Sequence, residues 1–271
     1  MWPSLALRTA PIPPLETLTL AFACGWISFS ALHVLAGDAA GKATSRSIRG
    51  WIPALIYAVA LSGGDLCFLL ALRRIPAAQA NLLSYLWPVM LVLMGTAVGL
   101  FRLGLRQIAG LALGFSGAVI LIWDGHVLLS ATGIALALLS GALWAAYCVF
   151  RLIWKGPTGS LLARGCGMSM LLCAVLHLLL EPTVLPSPTN LAAMAIAGFV
   201  ALGLGNFLWD LGFRRGDGHL LAVMSYATPL CSALLLAAFS NALLTWNLLL
   251  GALVIVSAGL LSRTGDQAGR G

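Results

Sequence analysis

Ser84-Tyr85-Leu86-Trp87-Pro88 and Ser225-Tyr226-Ala227-Thr228-Pro229 stand 141 residues apart, and each follows an arginine pair, Arg73-Arg74 and Arg214-Arg215, at the same distance. The offset also brings Gly64 onto Gly205, Gly110 onto Gly251 and Ser116 onto Ser257. An ungapped correspondence of Gly64 to Leu121 with Gly205 to Ser262 that keeps an Arg-Arg pair, a Ser-Tyr-x-x-Pro and later glycines in step is an internal duplication. About half the chain is therefore a second use of one structural unit.

The composition says what kind of unit it is. Of 271 residues, 61% are hydrophobic and only 8% are charged. That leaves too little polar surface to cover a soluble globule, and the apolar runs are long enough to cross a bilayer. The chain reads as an all-α, polytopic membrane protein. Its net charge of +7 then bears on which loops face the cytoplasm, and no nucleic-acid partner is expected. Cys24, Cys67, Cys148, Cys166, Cys173 and Cys231 all lie in apolar runs without a C-x-x-C pair or a histidine at ligand spacing. They read as small apolar packing residues; no metal and no cofactor is called for. No cleavable signal peptide is visible in the first residues.

Charged or Pro/Gly-rich turns divide the chain into nine apolar spans: Leu15 to Leu35, Ile52 to Leu72, Ala77 to Phe101, Ile108 to Trp123, Ala131 to Trp154, Ser160 to Leu180, Asn190 to Phe213, His219 to Phe239 and Leu243 to Leu261. The run after Arg106 is short, but Gly110, Gly114 and Gly117 give it a small-residue face suited to close helix packing. The repeat asks for one span more. Carried back by the same offset, the span from Ala131 would begin before Met1, and Met1-Trp2 with Arg8 resembles Leu143-Trp144 with Arg151. The expectation is a chain lacking the front of its first helix, on the order of 18 Å at 1.5 Å per residue. The working protein is expected to have ten spans in two five-helix repeats, over residues 1–126 and 127–271.

An odd number of spans per repeat makes the second copy enter the membrane from the opposite side, so the repeats are inverted. With the first helix starting in the cytoplasm, Lys42, Arg46, Arg49, Arg102, Arg106, Arg151, Lys155, Arg164, Arg214, Arg215, Arg263 and Arg270 fall inside. Only Arg8, Arg73 and Arg74 fall outside, with Asp124 and Glu181 in outside loops. The positive-inside bias agrees with both termini in the cytoplasm. Inverted repeats are a common construction of secondary transporters, with the substrate site near the midplane.

Candidate site residues follow from the cost of polar groups in a bilayer. Asp65 lies mid-span and aligns with Asn206 in the repeat; Asn206, Trp209, Asp210 and Phe213 share one helical face at i, i+3, i+4 and i+7. Asp65 reads either as a proton-coupling or amine-binding carboxylate or as a partner for a neighbouring helix. Asp210 is a second candidate for proton coupling, or else a local ion-pair partner of Arg214 at i+4. Tyr85, Trp87, Trp144, Tyr147, Trp209 and Tyr226 form a deep aromatic set able to hold an apolar side chain, or merely to pack the bundle. Trp51, Trp123 and Trp154, near span ends, read as interface anchors. Asn81, one turn before Tyr85, offers an amide to a substrate carboxylate or ammonium. Pro88 and Pro229 each remove a backbone hydrogen bond at equivalent places, which predicts matching kinks, either static or hinged. No H-E-x-x-H, G-x-S-x-G or phosphate-binding loop is present, and His33, His126, His177 and His219 are scattered near span ends, so enzymatic chemistry is not expected.

The Ser84-Tyr85-Leu86-Trp87-Pro88 run, the Gly141-Ala142-Leu143-Trp144-Ala145-Ala146-Tyr147-Cys148 run and Ser225-Tyr226-Ala227-Thr228-Pro229 resemble the drug/metabolite transporter superfamily, EamA type. Within it the chain is most similar to the bacterial YddG family of aromatic amino-acid exporters. The resemblance implies ten helices in two inverted repeats, both termini cytoplasmic, in the bacterial inner membrane. It implies export of aromatic and some other neutral amino acids. Alternating access is the expected mode, membrane lipid the surrounding partner, and a monomer one of the forms the sequence leaves open. Ser84 and Trp209-Asp210 stand where the family often has Asn and Trp-Asn, which bears on the substrate. Export of other small metabolites or cationic drugs is the alternative within the same superfamily.

Overall fold

The computed structural model describes residues 9, 11–35, 51–100, 104–122, 130–215 and 246–261. Every regular element among them is helical: α1 (Pro14–Leu35), α2 (Trp51–Leu72), α3 (Ala77–Ser84), α4 (Trp87–Ala97), α5 (Leu105–Ile122), α6 (Ala131–Ile153), α7 (Thr158–Leu180), α8 (Pro188–Ile196), a π-helical stretch (Ala197–Gly205), α9 (Asn206–Arg215) and α10 (Trp246–Leu261). Among the described residues five helical stretches are long and apolar enough to cross a membrane: Trp51–Leu72, Gln79–Ala97, Ala131–Ile153, Thr158–Leu180 and Pro188–Gly212. Eight of the nine expected spans thus coincide with helix, and the ninth, from His219, lies outside the described residues.

The chain folds as two compact units. The first takes Met1–Leu70 and Phe150–Arg215, the second Ala71–Val149 and Gly216–Gly271. Each unit draws on both halves of the sequence. In the first, α1 packs along α7 and against the π-helical stretch and α8. Its core includes Leu18, Phe22, Phe29, Tyr57, Leu162 and Met194. In the second, α5 packs along α10. Gly114 and Gly117 are what allow it: a β-carbon at Gly117 would come within 2.9 Å of Ile255 and 3.1 Å of Val254, and one at Gly114 within 3.4 Å of Ala258. The small-residue face of this short helix is therefore a helix-packing face.

The span from Ala77 is broken where its proline predicts. α3 ends at Ser84 and α4 starts at Trp87 with Pro88 in its first turn. Across Tyr85 and Leu86 the amides reach back three or four residues, Tyr85 to Asn81 at 3.0 Å and Leu86 to Leu83 at 3.2 Å. Pro88 has no N–H for the carbonyl of Ser84, four residues before it. That carbonyl instead lies against Gly141 of α6, where a β-carbon would collide with it. The Ser-Tyr-x-x-Pro and Gly-Ala-Leu-Trp motifs are thus two sides of one contact. α4 closes on Gly99, whose φ of 78° is open to glycine and strained for other residues; its N–H and that of Leu100 return to Thr96 and Gly95.

Candidate functional site

In the second unit the break between α3 and α4 meets the middle of α6. Ser84 Oγ donates to Ser140 Oγ at 3.4 Å. Trp144 lies one turn further along α6, half-buried, and receives the Trp87 ring edge-on, with centroids 6.3 Å apart and planes at 89°. Trp144 also packs on Tyr147 at 5.5 Å and 44°. Trp87, Tyr147 and Asn81 are buried, while Tyr85 and Trp144 are half-buried. Five of the residues singled out in the sequence, Asn81, Tyr85, Trp87, Trp144 and Tyr147, therefore fall in one unit around one helix break. Three rings in edge and tilted contact, bordered by serines, offer an apolar side chain a surface with hydroxyls at its margin.

Asn206 and Trp209 belong to the first unit, on α9, directly after the π-helical stretch; π-helical turns are frequent at functional sites. Asn206 Nδ2 donates to Tyr57 Oη at 3.4 Å, and Tyr57 Oη lies 3.5 Å from Cys166 Sγ. Tyr57 is fully buried, and its ring lies over Gly165. It was not among the sequence candidates; its signal was a tyrosine two turns before Asp65 on the same mostly apolar helix. Asp65 stands two turns further along α2, and its buried Oδ2 has no hydrogen-bond partner. Tyr226 and Pro229 lie outside the described residues.

Asp210 is engaged by a residue far from it in sequence, Arg151. Arg151 donates to it through Nε at 2.5 Å and Nη2 at 2.7 Å, and Thr158 Oγ1 also donates to the carboxylate. Arg151 Nη1 reaches the carbonyls of Trp154 at 3.0 Å and Gly156 at 3.5 Å. The guanidinium lies over the Trp154 ring, which stacks on Phe150. Arg151, counted among the positive charges on the inside, lies in the last turn of α6 and is 5% exposed, so it is no solvated loop charge. Trp154 packs on this pair, whereas Trp51 is exposed, with Arg164 over its ring. The side chain of Arg214, the alternative partner for Asp210, and Trp123 lie outside the described residues.

A second polar cluster corrects the reading of His177 as isolated. The Glu181 carboxylate accepts from the amides of Leu15, at 3.1 Å, and Glu16, at 3.4 Å, at the start of α1. It also lies 3.1 Å from His177 Nδ1, and His177 Nε2 lies 3.1 Å from Thr183 Oγ1. Glu16 in turn accepts from the amide of Val184. The cluster spends its groups on helix ends and on each other, which makes it a fastening of α1 to the end of α7. The cysteines among the described residues are free thiols, three of them buried.

A model of the EamA-like transporter family matches the chain twice, over residues 3–123 and 131–264. The protein named aromatic amino acid exporter YddG from Ancylobacter novellus is 32% identical over 246 residues, 87% of this chain and 84% of that one. Its namesake from Salmonella typhimurium is 26% identical over 216 residues, 73% of this chain and 72% of that one. A solved crystal structure superposes with a TM-score of 0.74 at 29% identity, covering 95% of this chain and 90% of the other.

Proposed function

The chain belongs to the EamA-like transporter family, and from that we propose that it exports aromatic and other neutral amino acids across the bacterial inner membrane. Membership makes it a membrane transporter and not an enzyme. The observation that carries the substrate is the ring cluster of Trp87, Trp144 and Tyr147 at the α3–α4 break. A stacked indole or phenyl side chain gains apolar contact there, and Ser84, Ser140 and Asn81 supply polar groups at the edge. The relatives' printed name supports the same class of substrate.

Tyr85, Asn206, Trp209 and Tyr226 complete the proposed binding set. Residues 1–126 and 127–271 are proposed as inverted five-helix repeats with ten spans in the working protein and both termini cytoplasmic; the doubled family match supports the duplication. Pro88 and Pro229 are the proposed hinges of alternating access. Of the two intramembrane acids, Asp210 is already paired with Arg151, which leaves Asp65 as the acid open to a transported species. That carboxylate favours one second reading, export of compact organic cations.

The test is export from cells. Bacteria lacking their own aromatic exporters and expressing this chain should survive a toxic aromatic amino-acid analogue, such as a fluorotryptophan, and release more labelled phenylalanine than controls. Trp144→Ala should abolish both effects. Protection against methyl viologen without protection against the analogue would replace the amino-acid reading by the cation reading.

A further inference from the structure

We propose that Asp65 is the counter-charge for the ammonium group of the transported molecule, so that the site selects primary amines and rejects carboxylic acids that lack one. The inference rests on the exporter reading and names the part of the substrate that this acid recognises.

A carboxylate within a membrane helix is expensive unless paired or hydrogen-bonded. Among the described residues of the first unit, besides Glu16 at the start of α1, Asp65 and Asp210 are such acids, and they are treated differently. Asp210 receives two guanidinium hydrogen bonds and a threonine hydroxyl. Asp65 receives none at its buried Oδ2. Its surroundings offer only weak or committed donors. Cys166 and Cys173 of α7 lie within its electrostatic reach, and a thiol is a weak donor. Ser62 Oγ donates to the carbonyl of Ala58 at 2.5 Å and Ser169 Oγ to the same carbonyl at 3.5 Å.

Among the described residues of the first unit, positive side chains do not fill the gap. Arg151 is held by Asp210, Arg164 lies over Trp51, Lys155 is exposed, and His177 is held by Glu181 and Thr183. The acids Glu16 and Glu181 are likewise spent on the α1 fastening. A half-buried aspartate whose buried Oδ2 has no partner, with two thiols in its electrostatic reach, is on this proposal completed by a cation that arrives from outside. An ammonium carries three donors and one positive charge. At the equivalent repeat position stands Asn206, a neutral amide whose Nδ2 is given to Tyr57, so the repeat counterpart adds no second negative charge.

The experiment is displacement of labelled tryptophan from the purified full chain by tryptamine, which keeps the ammonium, and by 3-indolepropionic acid, which keeps the carboxylate. In the unaltered protein tryptamine should compete and indolepropionic acid should be at least tenfold weaker. In Asp65→Asn tryptophan binding should weaken at least tenfold and the difference between the two competitors should vanish, with thermal stability equal or higher because an unpaired buried charge is gone. Asp65→Glu should retain part of the preference for tryptamine. Equal competition by both compounds in the unaltered protein would overturn the proposal. So would tryptophan binding by Asp65→Asn within twofold of normal, including the case where only a response to a pH gradient is lost, which would assign Asp65 to a proton. Asp65→Asn that does not fold would give Asp65 a structural role and also overturn it. If the unaltered protein binds no tryptophan, the amino-acid reading fails on its own. Labelled tryptamine then decides: binding that is lost in Asp65→Asn upholds the counter-charge, and no binding rejects it.

Discussion

Pro88 frees the carbonyl of Ser84, and Gly141 is the residue that lets another helix come up against it. A methyl group at Gly141 must displace backbone, which costs about 1–3 kcal/mol in a packed core. Gly141→Ala is therefore expected to lower the thermal midpoint measured in detergent, and Pro88→Ala, which restores an N–H for Ser84, should partly relieve it. The Arg151–Asp210 pair carries a second expectation. Both side chains are buried, and removing one partner of such a pair costs about 3–5 kcal/mol, whereas replacing both by apolar groups is often neutral. Arg151→Met should thus unfold at a clearly lower temperature and Arg151→Met with Asp210→Leu should recover. No recovery in the double variant would show that the carbonyls of Trp154 and Gly156 depend on the guanidinium as much as Asp210 does. Neither arrangement was fully legible in the sequence. The proline and the glycine were visible singly, but their meeting joins segments about 57 residues apart, from Ser84 to Gly141. Asp210 had Arg214 at helical spacing, and nothing local pointed to Arg151.

At the scale of elements, α1 begins with amides that no preceding turn can satisfy, and Glu181 from the end of α7 satisfies two of them. A carboxylate there also interacts favourably with the helix dipole, worth up to about 2 kcal/mol when partly buried. Glu181→Gln should therefore destabilise the first unit by about 1–2 kcal/mol, read as a lower melting temperature and faster hydrogen exchange at the start of α1, with exchange in α10 unchanged. Faster exchange across both units would contradict a local fastening. Spans were the most legible elements, because long apolar runs bounded by charge and proline mark them directly. The π-helical stretch was not, since Ala197–Gly205 reads as ordinary apolar helix. His177 has Glu181 at i+4, a pairing that local spacing did offer, but the tie of that pair to the start of α1 joins residues far apart in sequence. The small-residue face of α5 was legible because glycine spacing at one helical face needs no distant information.

For the whole molecule, the duplication was readable from a single offset, and the family match falls on both halves. The compact units of the structure do not follow those halves, as only long-range contacts could reveal. The proposed inverted topology predicts that single cysteines placed near Arg102 and near Arg263, on a background without other reactive thiols, are protected from an impermeant thiol reagent added outside whole cells. One near Arg74 should be labelled. Labelling at Arg263 and protection at Arg74 would reverse the orientation.

The central claim is that a transporter with this ring cluster moves aromatic amino acids. It is tested most directly by uptake of labelled tryptophan, phenylalanine and methyl viologen into proteoliposomes holding the purified chain. The account predicts saturable uptake of both amino acids, reduced on the order of tenfold by Trp144→Ala through loss of ring contact. Uptake of methyl viologen alone, or amino-acid uptake unchanged in Trp144→Ala, would contradict it.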